Sequence, residues 1–155
     1  MILQTVVVDD FSEFARMAEP RLRQALCSRF GVETGREATA EAMAVAWEQW
    51  SRIRTYRNPV GYLFGVGRNK ARGSFRRRQI VLWSTPDDAS PWVEPGLPKA
   101  LSLLSPNQRT VVLLIHCFEW THAEVASVLG TSKTTIQNHA ERGMARLRRE
   151  LGVNE

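Results

Sequence analysis

Cysteine is scarce in this chain: Cys27 and Cys117 stand far apart and no CxxC pair occurs. That excludes a zinc-ribbon or thioredoxin-type signature and points to a reducing, cytoplasmic setting. Long apolar runs are missing too. No uninterrupted stretch reaches the ~20 residues that cross a bilayer, so no membrane partner is expected. The apolar opening from Ile2 to Val8 has no basic leader and runs straight into Asp9-Asp10, so it does not read as a signal peptide. Strand patterns are nearly absent. Val6 to Val8 and Ile80 to Trp83 are the exceptions, both too short to build a sheet. There is no Gly-rich phosphate loop, nucleophile elbow or HExxH motif, so neither an enzyme nor a cofactor is expected. His116, Cys117 and His122 lie close in sequence, but His116 and Cys117 are adjacent and leave a helix on different faces. No metal site is expected there, and Cys117 reads as a buried thiol.

What is present is helix-forming sequence with a basic bias. Hydrophobic residues make up 43% of the 155, the formal net charge is +5 and the pI is about 9.9. A packed core is therefore affordable, and the basic excess suits a polyanion whose counterions are released on binding. Between Ile80 and Gly96 stand Pro86, Pro91 and Pro95 with Asp87, Asp88 and Ser90. Prolines at this density break helices. The expected fold class is all-α: two small helical domains, residues 1–79 and 97–155, joined by a Pro-rich linker at 80–96, with Trp83 and Trp92 as possible docking points.

In the first zone Phe11, Phe14, Ala15, Ala18, Leu22, Ala25 and Leu26 recur at helical spacing, with an interruption expected at Pro20. Glu37 to Trp50 is rich in good helix formers. Asn58-Pro59 is a helix start, followed by Tyr62, Leu63, Val66 and Ala71 on one side. Arg68, Lys70, Arg72, Arg76, Arg77 and Arg78 then crowd together without an acid, which demands a nearby anion. Trp47, Trp50 and Tyr56 interleaved with Arg52, Arg54 and Arg57 suit single-stranded nucleic acid, where bases stack on rings and cations hold the backbone. The competing reading puts Trp47 and Trp50 in the core, Trp47 first.

The third zone carries a helix-turn-helix pattern. Ser105-Pro106 starts a helix filled by Val111 to Ile115, and Phe118-Glu119-Trp120 ends it. Thr121-His122-Ala123-Glu124 is a capping box, Gly130 stands where a left-handed residue closes the short helix, and Ser132 caps the next one. Ile136, Ala140, Met144, Leu147 and Leu151 face inward. Lys133, Thr134, Gln137, Asn138 and Glu141 then lie outward, followed by Arg142, Arg146, Arg148 and Arg149. Asn and Gln read adenine edges, while Lys and Arg contact guanine or phosphate. A helical hairpin with a solvated basic face is the plainer alternative.

The stretch LSLLSPNQRTVVLLIHCFEWTHAEVASVLGTSKTTIQNHAERGMARLRREL, together with NPVGYLFGVGRNKARGSFRRR and EAMAVAWEQWSRI before it, resembles the extracytoplasmic-function group of bacterial RNA polymerase sigma factors over nearly the whole chain. The resemblance implies a first domain that binds the polymerase clamp and captures unstacked −10 bases, and a second that binds the −35 element. It implies Glu37 and Glu41 on the polymerase-facing helix. Trp50, Arg54, Tyr56 and Asn58 would lie where a flipped base is held, and Arg68, Lys70, Arg72, Arg76 and Arg77 on the promoter backbone. Lys133, Thr134, Gln137, Asn138, His139 and Arg142 would lie at the major groove. Implied partners are core RNA polymerase and promoter DNA, with an anti-sigma protein as a further candidate. The alternative is a stand-alone helix-turn-helix regulator that binds palindromic operators as a dimer.

Overall fold

The computed structural model describes residues 2–75 and 96–153, with side chains for 10–72 and 96–153. The described residues form helices with no strand: α1 (Ile2–Phe30), α2 (Val32–Glu48), α3 (Trp50–Ile53), α4 (Pro59–Phe75), α5 (Leu97–Leu103), α6 (Pro106–His116), α7 (His122–Leu129) and α8 (Lys133–Glu150). The segment at Val6 to Val8, singled out as a strand exception, is part of α1. Residues 76–95, including Trp83, Trp92 and most of the expected linker, lie outside the described residues.

Pro20 does not interrupt α1, contrary to the sequence expectation; the helix runs through it. A proline inside a helix removes one backbone hydrogen bond and costs about 3 kcal/mol. Here Ala18, Leu22, Ala25 and Leu26 flank it with fully buried side chains. Burial of such a face outweighs local propensity in a packed helix. Gly31, at φ 90°, then separates α1 from α2 in a conformation only glycine adopts easily.

Helices α1, α2 and α4 pack mutually, and α6, α7 and α8 form a second cluster braced by α5. The two groups are not held together by the connecting segment alone. Helix α6 lies on α1 and α7 on α4. One continuous core runs from Leu22, Leu26, Ile53 and Leu63 to Val111, Leu114, Val125 and Ile136. A smaller core of Ala100, Leu101, Leu104, Val112, Leu113 and Leu147 seats α5 against α6 and α8. Small residues set the closest approaches. A Cβ on Gly143 would stand 2.7 Å from Val112 Cγ2 at the α6–α8 crossing, and one on Gly67 2.6 Å from Leu26 Cδ1.

Candidate nucleic-acid interface

The helix-turn-helix is built by local chemistry that the sequence announces. Ser105 and Gln108 form a capping box at the start of α6. That helix ends in a turn where Glu119 takes φ 59° and the Trp120 N–H donates to the Leu114 carbonyl at 2.9 Å. At α7, Thr121 Oγ1 accepts from the Glu124 N–H at 3.1 Å, and Glu124 Oε2 accepts from the Thr121 N–H at 3.0 Å. The Thr121 backbone N–H, helped by Arg21, holds the Glu124 carboxyl below the usual carboxylate range. Gly130 closes α7 at φ 70° and ψ 39°. Ser132 Oγ accepts from the Thr135 N–H at 3.1 Å and starts α8.

Helix α8 divides cleanly. Ile136, Ala140, Gly143 and Leu147 are buried. Ala140, expected to face inward, and Ala126 of α7 are both in the core. The opposite face presents Lys133, Thr134, Gln137, Asn138, Glu141 and Arg142 to solvent, with His139 half-buried at its margin. Gln137 Nε2 donates to Glu141 Oε1 at 3.3 Å, which steers the carboxamide along the exposed face. Towards the end of α8, Arg148 and Arg149 are exposed, and Arg146 approaches Glu150 at 4.0 Å.

In the first half, Asn58 caps α4: its Oδ1 accepts from the Gly61 N–H at 3.0 Å. The turn before it holds Arg54, paired with Asp10 at 3.3 Å, and half-buried Tyr56, edge-on to Tyr62 at 5.0 Å. Along α4, Lys70 and Arg72 are exposed, and the Arg68 guanidinium lies 5.9 Å from the Phe64 ring. Among the described residues none of these three cations joins an ion pair. Arg76, Arg77 and Arg78 lie outside the described residues. Glu37 and Glu41 are exposed on α2 and share a shallow cleft with Lys70.

Of the two readings open for the tryptophans, the core holds for Trp50 and fails for Trp47. Trp50, offered as a ring for a base, is 5% exposed and packs on Phe11 and Phe14 with centroids at 5.4 and 4.7 Å. No base reaches its face in this fold. Trp47, expected in the core, is 52% exposed and touches Phe11 edge-on at 5.0 Å. The cause for Trp47 is the phase of α2 itself: Ala38, Ala42 and Ala46 line its buried face, and Trp47 lies off it, whereas Trp50 falls in the separate short α3 and turns inward. Cys117 also departs from expectation. It is the exposed residue after the last turn of α6 rather than a buried thiol. Among the described residues no three His, Cys, Asp or Glu side chains converge as metal ligands, and no helix is long and apolar enough to cross a membrane.

Sequence reasoning missed the joint between the halves. Arg109 is 1% exposed, and Trp120 is buried with its Nε1 donating to Gln24 Oε1 at 2.9 Å. The only sequence signal was an arginine two residues ahead of the apolar run from Val111 to Ile115, which is a weak one.

Residues 96–147, from the start of α5 into α8, match the family described as Sigma-70, region 4. The RNA polymerase sigma-E factor of Streptomyces antibioticus is 31% identical over 123 residues, covering 74% of this chain and 68% of that protein. The chain belongs to the RNA polymerase sigma factors. The sigma-E factor of Streptomyces coelicolor is 32% identical over 119 residues, with 71% and 67% covered. The solved structure of the sigma factor RpoE from Bartonella quintana, determined in complex with the anti-sigma factor NepR, shares the fold. Its TM-score is 0.69 at 21% identity, covering 94% of this chain and 99% of that one. The extracytoplasmic-function resemblance read from the sequence is upheld, and directing RNA polymerase to promoters is the function of this sigma factor.

Proposed function

We propose that this sigma factor divides promoter recognition between its two halves. Residues 97–155 read the −35 element and residues 1–79 hold the polymerase clamp and the −10 element, with 80–96 spanning the interval. The observation that carries this is the exposed stripe of Lys133, Thr134, Gln137, Asn138 and Arg142 on the face of α8 opposite its buried side. A second helix whose N-terminal part presents carboxamides and cations is suited to the major groove. Glu141 repels phosphates, so base contacts fall to the carboxamides and backbone contacts to Lys133 and Arg142. His139, half-buried, stands beside the groove.

In the first half, Arg54, Tyr56 and Asn58 line the turn offered to an unpaired −10 base. Trp50 supports that turn from within the core rather than stacking on DNA. Unstacking costs a few kcal/mol, roughly, for each extruded base, and capture in such a site offsets it. Arg68, Lys70 and Arg72 of α4, continued in sequence by Arg76 and Arg77, neutralise the promoter backbone. Glu37 and Glu41 on the outer face of α2 meet the polymerase. No chemistry is required of the chain itself, so it acts as a non-enzymatic subunit, and the cytoplasm is where it meets polymerase and DNA. An anti-sigma protein is a further partner, by analogy with the RpoE–NepR pair. Exposed Trp47 and Met17 supply apolar surface for it.

The test is run-off transcription with purified core polymerase on a randomised promoter library. Selected templates should share two short motifs at fixed separation. Selection of a palindrome, or binding of operators without polymerase, would overturn the assignment.

A further inference from the structure

Three arginines gather where the end of α1 lies on α4. The close approach of Gly67 to Leu26 sets these helices side by side. Arg29 stands one turn beyond Leu26, and Arg68 and Arg72 stand one turn apart on α4. None of the three joins an ion pair among the described residues. Burial first, then the like charges of Arg68 and Arg72, push the Arg29 guanidinium below its ordinary value. Aromatic rings back two of the cations: Arg29 lies 5.6 Å from the Phe30 ring and Arg68 5.9 Å from the Phe64 ring. Their hydrogen bonding is incomplete. Arg29 Nη1 donates to Asn107 Oδ1 at 2.7 Å, but Arg29 Nε and Arg68 Nε are buried with no partner among the described residues. Buried donors in native folds are nearly always paired. Arg109 beside them shows the ordinary outcome. It is more deeply buried, yet its Nε, Nη1 and Nη2 donate to the carbonyls of Ser28, Leu104 and Arg29. Asn107 is the second residue of α6, so its bond with Arg29 also brings the positive end of that helix's dipole to the edge of the cluster.

Like charges held together, with donors unused and no paired carboxylate, suit a multiply charged oxyanion, which accepts the two parallel N–H bonds of a guanidinium fork. We propose that Arg29, Arg68 and Arg72 form a binding site for a small phosphorylated ligand, one with a terminal phosphate or pyrophosphate such as a nucleoside di- or triphosphate carries. A free anion is favoured over a DNA phosphodiester on two grounds. The unpaired Nε atoms are buried, where a small group can enter between half-buried side chains but a duplex, with its phosphates along a surface, cannot. A phosphodiester also brings a single charge against three cations. The site goes beyond the promoter assignment: Arg29 has no part in that assignment, and only Arg68 and Arg72 are common to both.

The test is titration calorimetry of the full chain with sodium pyrophosphate at fixed low salt. Wild type should show saturable binding at one site. Arg29→Gln and Arg68→Gln should each weaken it roughly tenfold or more, the loss expected when a charge-assisted hydrogen-bonded contact is removed. Arg72 is exposed, so Arg72→Gln gives the same reading without touching the core if either of the others folds poorly by circular dichroism. A variant with Arg148→Gln and Arg149→Gln removes two cations outside the cluster and should bind pyrophosphate as wild type does. A duplex oligonucleotide of mixed sequence, titrated into wild type and Arg29→Gln, is the second arm; its affinity should be the same for both. Three results overturn the site: no saturable binding of pyrophosphate, an equal loss in the α8 double variant, or an Arg29→Gln variant that loses duplex affinity and keeps pyrophosphate affinity. The second reduces the effect to net charge. The third makes the cluster a contact for the DNA backbone.

Discussion

Gly35 of α2 lies directly against the backbone of Cys27 in α1: a Cβ at Gly35 would stand 2.4 Å from Cys27 Cα and 2.5 Å from its nitrogen. The crossing of these two helices is set by that contact, because no side chain fits between them. Helix α2 also carries the exposed Glu37 and Glu41, so the same contact fixes where the outer face of the first half points. Gly35→Ala is expected to destabilise by about 1–3 kcal/mol, the range for overpacking a tight contact. The upper end is favoured because the obstructing atoms are backbone. Gly65 in α4 is the control: nothing lies within 4 Å of the Cβ position, so Gly65→Ala should stabilise by about 0.5–1 kcal/mol through helix propensity. Urea titrations of the two variants should move the midpoint in opposite directions.

The capping box at α7 makes a pH prediction. The Glu124 carboxyl is held below its ordinary range first by the Thr121 N–H and then by Arg21. A folded-state pKa that is depressed contributes stability that is complete above the unfolded value, about 4.3 for glutamate. That contribution is lost as pH falls through the folded value. Wild type should therefore lose stability in that acid window faster than Glu124→Gln, which cannot titrate. Thr121→Ala should cost about 1 kcal/mol at neutral pH. Thermal melts from neutral pH down into the acid range check the sign. A Glu124→Gln variant that parallels wild type throughout the acid range would exclude the cap as the source.

Thiol accessibility separates the two cysteines. Cys117 is exposed at the end of α6, whereas Cys27 is half-buried, with its Sγ donating to the Val32 carbonyl at 3.6 Å. Burial pushes both thiols up, at Cys27 only partly opposed by Arg36 and Arg23, so access rather than thiolate formation separates them. Reaction needs the thiolate and access to it. An aromatic disulfide reagent should consume one thiol equivalent quickly in the folded chain and the second only on denaturation. Cys117→Ser should abolish the fast phase; retention of that phase would place the reactive thiol at Cys27.

The parts legible in the sequence are those governed by neighbours a few residues away. Thr121 with Glu124, Gly130, Ser132 and Asn58-Pro59 all stand at helix ends where predicted, because caps depend on backbone groups within one turn. The buried and exposed faces of α8 followed from spacing alone. Illegible features depend on partners far along the chain. Pro20 survives inside α1 because of packing that no local window contains. Trp47 is outside and Trp50 inside because the small residues Ala38, Ala42 and Ala46, not the large ring, face the neighbouring helices, a choice that only long-range packing makes. Arg109 reads as one more surface cation, and only the fold reveals that the free carbonyls of Ser28 and Arg29 await it.

The recognition helix yields the sharpest functional prediction, since its exposed residues separate by chemistry. Gln137 and Asn138 carry donor–acceptor pairs able to distinguish bases, so Gln137→Ala or Asn138→Ala should change which upstream motif the holoenzyme selects. Removing a carboxamide that reads a base should cost about 1–3 kcal/mol of discrimination at that promoter position. Lys133 and Arg142 carry charge without base-pair information unless they reach a guanine edge, so their alanine variants should weaken all promoters together. Each should also make the plot of log affinity against log salt shallower by about 0.9 for the phosphate no longer neutralised. Holoenzyme binding to a fixed promoter at several salt concentrations, paired with selection from a randomised upstream library, tells the two classes apart. If Gln137→Ala weakens every sequence equally and flattens the salt slope, the carboxamide is serving the backbone and the readout belongs elsewhere on α8.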